Sequence, residues 1–224
     1  MIKIFRKIRY LFYSLYFNFK VLPYKQAIKL PFYVYVWPTV ISNKGKILFE
    51  SPFPIRSGMV RIGRQRTPIS QPRDFIIKNR GTIVFKGKCY LGHHMLIQVD
   101  RGGYLEFGDQ SGLSIGSRVV CKKKIIFKYK ARSSWECQFY DTNFHPVIDM
   151  VRNKPIKMDA PIVIGEKVWI GHNVIISKGV KLADEIIVSA GSVVKKSFSS
   201  PNSIISGNPA EMIDDGYSPD LMDY

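Results

Sequence analysis

Cysteine is scarce in this chain: Cys89, Cys121 and Cys137 are an odd number, widely spaced and without a CxxC pair. That argues against a disulfide framework or a cysteine-based zinc cluster, and it suits a reducing, cytoplasmic environment. Long apolar runs are also missing. No stretch of about 18 uncharged apolar residues occurs, so no membrane-spanning helix is expected. The run from Leu11 to Phe19 superficially resembles a signal peptide, but Ser14 and Asn18 interrupt it and no small-residue cleavage site follows, so it is expected to be retained. Acidic residues are absent before Glu50, and basic residues are absent after Lys196.

What is present is cationic and apolar. Across 224 residues, 34 Lys and Arg stand against 17 Asp and Glu, a formal charge of +17, while 46% of the chain is hydrophobic. The apolar share is ample for a continuous core. The charge points to an anionic partner such as a membrane surface, a nucleic acid or a phosphorylated ligand. No nucleic-acid recognition motif accompanies it, and the aromatics cluster in the N-terminal segment rather than on a basic sheet face, so nucleic acid is not expected.

In residues 1–28, Ile4, Phe5, Ile8, Leu11, Phe12, Leu15, Tyr16 and Phe19 recur at mostly three- and four-residue steps, with Lys3, Arg6, Lys7 and Arg9 between them. This predicts a basic amphipathic helix limited by Pro23. Such a helix either lies in the headgroup region of an anionic membrane through residues 1–22 or packs its apolar face on the domain or a neighbouring subunit. The first alternative places the protein peripherally on the inner face of the cytoplasmic membrane. Residues 29–54, punctuated by Pro31, Pro38 and Gly45, read as an extended lead-in. Residues 209–224, with Glu211, Asp214, Asp215, Asp220 and Asp223, read as an acidic tail.

The dominant feature is a repeat. Ile164, Ile170, Ile176, Leu182, Val188 and Val194 recur at a strict six-residue interval. Two residues before the last five stand Val168, Val174, Val180, Ile186 and Ser192, the alternation of a strand with one buried face. Gly165, Gly171, Ser177, Ala183 and Ser189 follow the aliphatics and suit tight corners. The pattern predicts an all-β solenoid, a parallel β-helix of hexapeptide repeats over 55–208 in which each coil stacks on the last. Looser copies run through Phe85, Leu91 and Ile97, then through Ile115, Cys121, Phe127, Ser133 and Phe139. They place the three cysteines at inward positions, as buried small hydrophobes; the competing reading makes Cys137 a nucleophile working with His145.

The beat stops after Phe139 and resumes at Ile164, leaving an inserted loop at about 141–161 that contains Asp141, Asn143, His145 and three prolines. A long loop inside a compact solenoid is usually functional. Its histidine can accept a proton from a hydroxyl, with Asp141 or Asn143 orienting the imidazole or the acceptor.

The stretch 163–213, with VWIGHNVIISKGVKLADEIIVSAGSVVKK and PNSIISGNPAEMI, resembles the C-terminal half of the hexapeptide-repeat, left-handed β-helix acyltransferases. That family includes galactoside, maltose and serine acetyltransferases and O-acetyltransferases of surface polysaccharides. The resemblance implies that His145 in the DTNFHP motif is the general base for attack of an acceptor hydroxyl on acetyl-coenzyme A, without a covalent acyl-enzyme and with backbone N–H groups or a polar side chain at the oxyanion. Asp is common in the family where Asn143 stands. The resemblance also implies that Trp169 lies near the acceptor and pantetheine, that Gly171 and His172 line the pantetheine groove, that Ala190, Gly191 and Ser192 admit the thioester arm, and that Lys195 and Lys196 meet the coenzyme phosphates. Two of these assignments have plainer alternatives: Trp169 as a solvent-facing aromatic stacked on adjacent coils, and the lysine pair as a solvated face. A homotrimer with each donor groove between adjacent solenoids and a carbohydrate acceptor follow from the same resemblance, no metal is expected, and the basic apolar N-terminus favours an acceptor held at the inner membrane, such as a lipid-linked oligosaccharide.

A γ-type carbonic anhydrase shares the solenoid but needs three zinc-binding histidines, and the spacing of His93, His94, His145 and His172 does not reproduce its pattern. N-acetylation of an amino sugar is the runner-up within acyl transfer, and a non-enzymatic membrane-surface scaffold is the alternative outside catalysis.

Overall fold

From Ile164 to Val194, every six residues carry the chain one face further around a triangular prism. The computed structural model describes residues 2–64 and 74–221, so Asp223 of the expected tail lies outside the described residues. Apart from one hairpin and the final strand, the strands form three parallel sheets, here called faces A, B and C, visited in rotation. Ile164 on face C pairs with Leu182, Ile170 on face A with Val188, and Ile176 on face B with Val194. Three hexapeptides therefore close one coil. These aliphatics are all buried, as are Val168, Val174, Val180, Ile186 and Ser192 beside them. The architecture is a parallel β-helix, as the repeat predicts, with the left hand that the resemblance implies.

Two corners of the prism need a left-handed backbone in coil after coil. At the A–B corner His94, Gly116, Glu136, Asn173 and Gly191 have φ of 55°, 73°, 58°, 56° and 72°. Residues other than glycine adopt this region at some cost, and the small or polar residues beside the buried column mark where each coil turns.

Upstream the coils are longer, which blurs the six-residue beat. On face C, Phe85 pairs with Phe107 and Phe107 with Phe127, intervals longer than the three hexapeptides of the later coils. Consequently Leu113 takes the inward face-A position, above Leu91 and below Ser133, and Ile115, expected there, sits at the corner. Rings compensate for the irregular spacing. Phe49, Phe85, Phe107 and Phe127 stack in a column with centroids 5.6, 5.3 and 5.4 Å apart, within the range favourable for aromatic pairs.

The solenoid also begins before residue 55. Strands β1 (Phe32–Val34), β2 (Pro38–Asn43) and β3 (Lys46–Phe49) pair in parallel with the next coil on faces A, B and C. The expected lead-in is thus the first coil. Its prolines and the long stretch that follows hide the register.

A first coil has no coil before it, so one side of its backbone lacks a ladder partner. Helix α1 (Ile2–Val21) covers that side, followed by the short α2 (Tyr24–Ala27). The Asn18 carboxamide donates to Phe32 O at 2.7 Å and accepts from Phe32 N at 3.1 Å, while Ser14 Oγ accepts from Val34 N at 2.8 Å. These polar residues, which break the apolar run in the sequence, are the docking face, together with buried Phe17 and Val21. Ile4, Phe5, Ile8, Leu11, Phe12, Leu15 and Phe19, the stripe that the spacing picks out, are exposed on the other side. Tyr16 alone of that stripe turns inward, stacking on Trp37 at 5.1 Å.

At the far end, Ser203–Gly207 continues face A and Ala210–Asp215 folds back on it antiparallel. The acidic tail therefore starts as a closing strand. All three cysteines are buried. Burial pushes the Cys89 thiol up to about 12 and the Cys137 thiol up to about 11, and raises Cys121 too. Cys137 Sγ donates to Gly171 O at 3.0 Å, which makes it a core residue rather than a nucleophile.

Two outcomes follow. Asn18→Leu should destabilise the protein by about 2–3 kcal/mol in urea unfolding, more than Ser14→Ala, because it leaves a buried N–H and C=O without partners. Because their raised pKa values keep the thiols protonated at pH 8, an aromatic disulfide reagent should find no reactive thiol in the folded protein and three per chain after denaturation.

Candidate active site

Between the face-B strand Gln138–Tyr140 and the face-C strand Ile162–Ile164 the chain leaves the solenoid. Thr142 bridges Asp159, Asn143 N donates to Met158 O at 3.0 Å, and Ala160 N donates to Asp141 O at 2.9 Å. Beyond these feet, Val147–Asp149 and Lys154–Ile156 pair antiparallel. The expected loop is a β-hairpin arm, and its tip exposes Met150 and Val151 at 82% and 96%.

His145 stands at the root of this arm. Phe144, at φ 65°, donates its N–H to Thr142 Oγ1 and sets its ring against Tyr140 at 5.7 Å. That turn delivers His145 to an exposed position, with its N–H on Asn143 O at 2.8 Å. Half-buried Asn143 is held through its backbone on both strands of the arm.

Asp141 does something other than the sequence suggests. Fully buried, it accepts from Lys122 N through Oδ1 and from Lys123 N and Lys124 N through Oδ2, each at 2.7 Å. In earlier coils the amides of this B–C corner donate to carbonyls of the next coil, as Arg80 N does to Val99 O and Asp100 N to Cys121 O. Where the arm departs those carbonyls are not supplied, and the carboxylate replaces them. Asp141 therefore anchors the arm and does not orient the imidazole.

Of the residues expected around the coenzyme, Trp169, Gly171, His172, Ala190 and Gly191 gather at a different edge. Trp169 lies on face A between Arg132 and Ile187 and is 42% exposed. The chain then turns the A–B corner at Gly171 and His172, and His172 stacks on Trp135 of the previous coil at 5.1 Å and 14°. Sequence reading passes over Trp135 because the inserted arm separates it from its stacking partner. A Cβ on Gly171 would lie 2.6 Å from Ala190 N, so only glycine fits between these coils. Ala190 and Gly191 are exposed above it, and a Cβ on Gly191 would meet nothing within 4 Å. Together they form a strip without bulky side chains beside an aromatic platform.

Ser192 faces inward, as its place in the repeat predicts. Its hydroxyl is buried, donating to Ser189 O at 2.7 Å and accepting from Gly207 N at 3.2 Å, so it braces the last coil and is not free for a ligand. Lys195 and Lys196 follow face B and are exposed. Lys196 is paired with Glu211 and lies 5.6 Å from the Phe198 ring centroid. Within one chain, His145 and the lysines thus occupy the B–C edge, and Trp169, His172, Ala190 and Gly191 the A–B side, with face B between. Among the described residues no three metal-ligating side chains gather. A cavity of about 490 Å³, lined by Arg56, Arg61, Lys88 and Tyr90 among others, lies several coils away in the first half of the solenoid.

No family model matches the chain. It is 39% identical over 128 residues to a galactoside O-acetyltransferase of Escherichia coli K12, covering 55% of this chain and 56% of that protein. It is 36% identical over 92 residues to a probable macrolide acetyltransferase of Lysinibacillus sphaericus, covering 41% and 49% of the two chains. The chain thus spans about half the length of the curated relatives it matches. Among solved structures, the polySia-specific acetyltransferase NeuO superposes with a TM-score of 0.53 at 19% identity, over 86% of this chain and 80% of that one; this likeness is one of fold.

Asp141→Asn should lower stability by about 3 kcal/mol in urea unfolding, because a charged acceptor of three buried N–H groups becomes an amide with one oxygen. Gly171→Ala should also reduce the melting temperature, since its Cβ would strike the backbone of the next coil.

Proposed function

We propose, from homology to the hexapeptide-repeat acetyltransferases, that this protein is an acetyl-coenzyme A-dependent O-acetyltransferase acting on a sugar hydroxyl in surface-glycan biosynthesis, with His145 as general base. The carrying observation is structural: the ladder between coils opens between Tyr140 and Ile162, and an exposed histidine stands where it opens.

The corner residues suit the donor. A pantetheine arm needs a shallow strip where backbone is approachable, and Ala190 and Gly191 over Gly171 supply one. Lys195 offers an exposed cation for a phosphate. The thioester, when bound, supplies the activated acyl carbonyl. His145 then takes the acceptor proton as the hydroxyl oxygen bonds to that carbonyl, and returns it to the departing thiolate as the C–S bond breaks. No acyl-enzyme is needed, and no cysteine is placed to form one.

The reading includes a homotrimer. Separation of His145 from Trp169 across face B leaves the groups of one chain apart, and two neighbouring copies bring an A–B corner of one against the B–C edge of the other. The exposed apolar residues of the arm, Ile148, Met150 and Val151, give the neighbour a surface to cover.

His145→Ala should reduce coenzyme A release by about 10²–10⁴-fold with melting temperature and mass in solution unchanged. Unaltered turnover removes His145 from the role. The acceptor panel should span sugars, nucleotide sugars, amino sugars and lipid-linked glycans; release with amines alone reassigns the protein to N-acetylation, and release with none reassigns it to a scaffold. Random mixing of His145→Ala and Trp169→Ala chains should restore about a quarter of wild-type activity if each site spans two copies, and none if each site lies within one chain.

A further inference from the structure

Helix α1 is docked the reverse of the usual way. A helix at the surface of a globular protein ordinarily buries its apolar stripe and shows its polar side to water. Here the buried side carries Ser14 and Asn18, matched to the backbone of β1, and the apolar stripe faces out. Ile4, Phe5, Ile8, Leu11, Phe12 and Phe19 are exposed by 63, 67, 59, 48, 59 and 48%. Folding of the chain itself has no need of them, since Phe17, Val21 and the two polar residues hold the helix in place. Large apolar side chains contiguous on a helix and turned away from the core mark a contact surface.

The charge around the stripe selects the partner. Arg6, Lys7, Arg9 and Lys20 are exposed along the same helix, Lys25 and Lys29 follow in and after α2, and no carboxylate precedes Glu50. Exposed Tyr24 and Ile28 extend the apolar surface past Pro23. A basic helix with an aromatic and aliphatic face is the chemistry that enters the headgroup region of an anionic bilayer. No described helix is long and apolar enough to cross one. The hydrogen bonds from residues 14 and 18 to residues 34 and 32 lay α1 along β1, so it runs across the end of the prism and its outer face points away from the coils.

We propose that the outer face of α1 and α2 binds an anionic phospholipid surface and holds the prism on end upon it. This does not rest on acyl transfer. The full-length protein should sediment with vesicles containing 30% phosphatidylglycerol at low salt, and at least tenfold less with pure phosphatidylcholine or in 0.5 M salt. Phe5→Asp combined with Phe12→Asp should reduce vesicle binding at least tenfold with the melting temperature unchanged, both side chains being exposed. Arg6→Gln, Lys7→Gln and Arg9→Gln together should weaken binding to anionic vesicles and flatten its salt dependence. His145→Ala should bind as the wild type does, which keeps this test separate from that of the activity. Equal sedimentation with and without vesicles, or unimpaired binding by the double aspartate variant, overturns the proposal. So does concentration-dependent self-association abolished by the aspartates without any vesicle binding, which would assign the face to a second copy of the chain.

Discussion

The hydrogen bonds that join one coil to the next run along the axis of the prism, and the rest of the molecule answers to that ladder. Wherever a coil lacks a neighbour, a row of peptide groups loses partners, and each unpaired buried group costs on the order of 1–3 kcal/mol. The chain meets this at three places with three devices. At the start, the Asn18 carboxamide imitates the peptide of an absent strand. At the arm, the Asp141 carboxylate takes three amides of the corner below. At the end, an antiparallel strand folds back over face A. The side chains that look least at home in the sequence are at the breaks in the ladder.

This explains how far the sequence could be read. Residues 164–194 announce the solenoid because every coil there is three hexapeptides long and nothing intervenes. Earlier coils carry extra corner residues, so the same physical column passes from Phe85 to Phe107 to Phe127 without a fixed interval, and Ile115 takes the place of Leu113 in any reading that counts by six. The first coil is hidden by proline. Ser14 and Asn18 look like flaws in an amphipathic helix because the strand edge they complete lies many residues further on.

The candidate site divides in the same way. His145 is legible as the residue at the root of an interruption. Asp141 is misread because nearness in sequence suggests a partner for the imidazole, whereas its side chain points down into the solenoid. Ser192 is legible as inward from the repeat, whereas its bond to Gly207 N depends on the closing hairpin, which lies outside the repeat. Trp135 escapes notice altogether, its contact with His172 being made across the arm. Periodicity reports what repeats; a residue whose function lies at an exception is found only by where the repeat fails.

A solenoid whose coils are in strict hydrogen-bonded succession is also a graduated rod. On face A five ladder steps separate β1 from the strand that carries Trp169, and at about 4.8 Å per step the tryptophan stands roughly 24 Å above the first coil. Adding or removing one whole coil below the arm would move the site by a single graduation without altering its geometry. The number of coils is thus a dimension of the molecule in its own right, and it sets the height of the candidate site above the capped end.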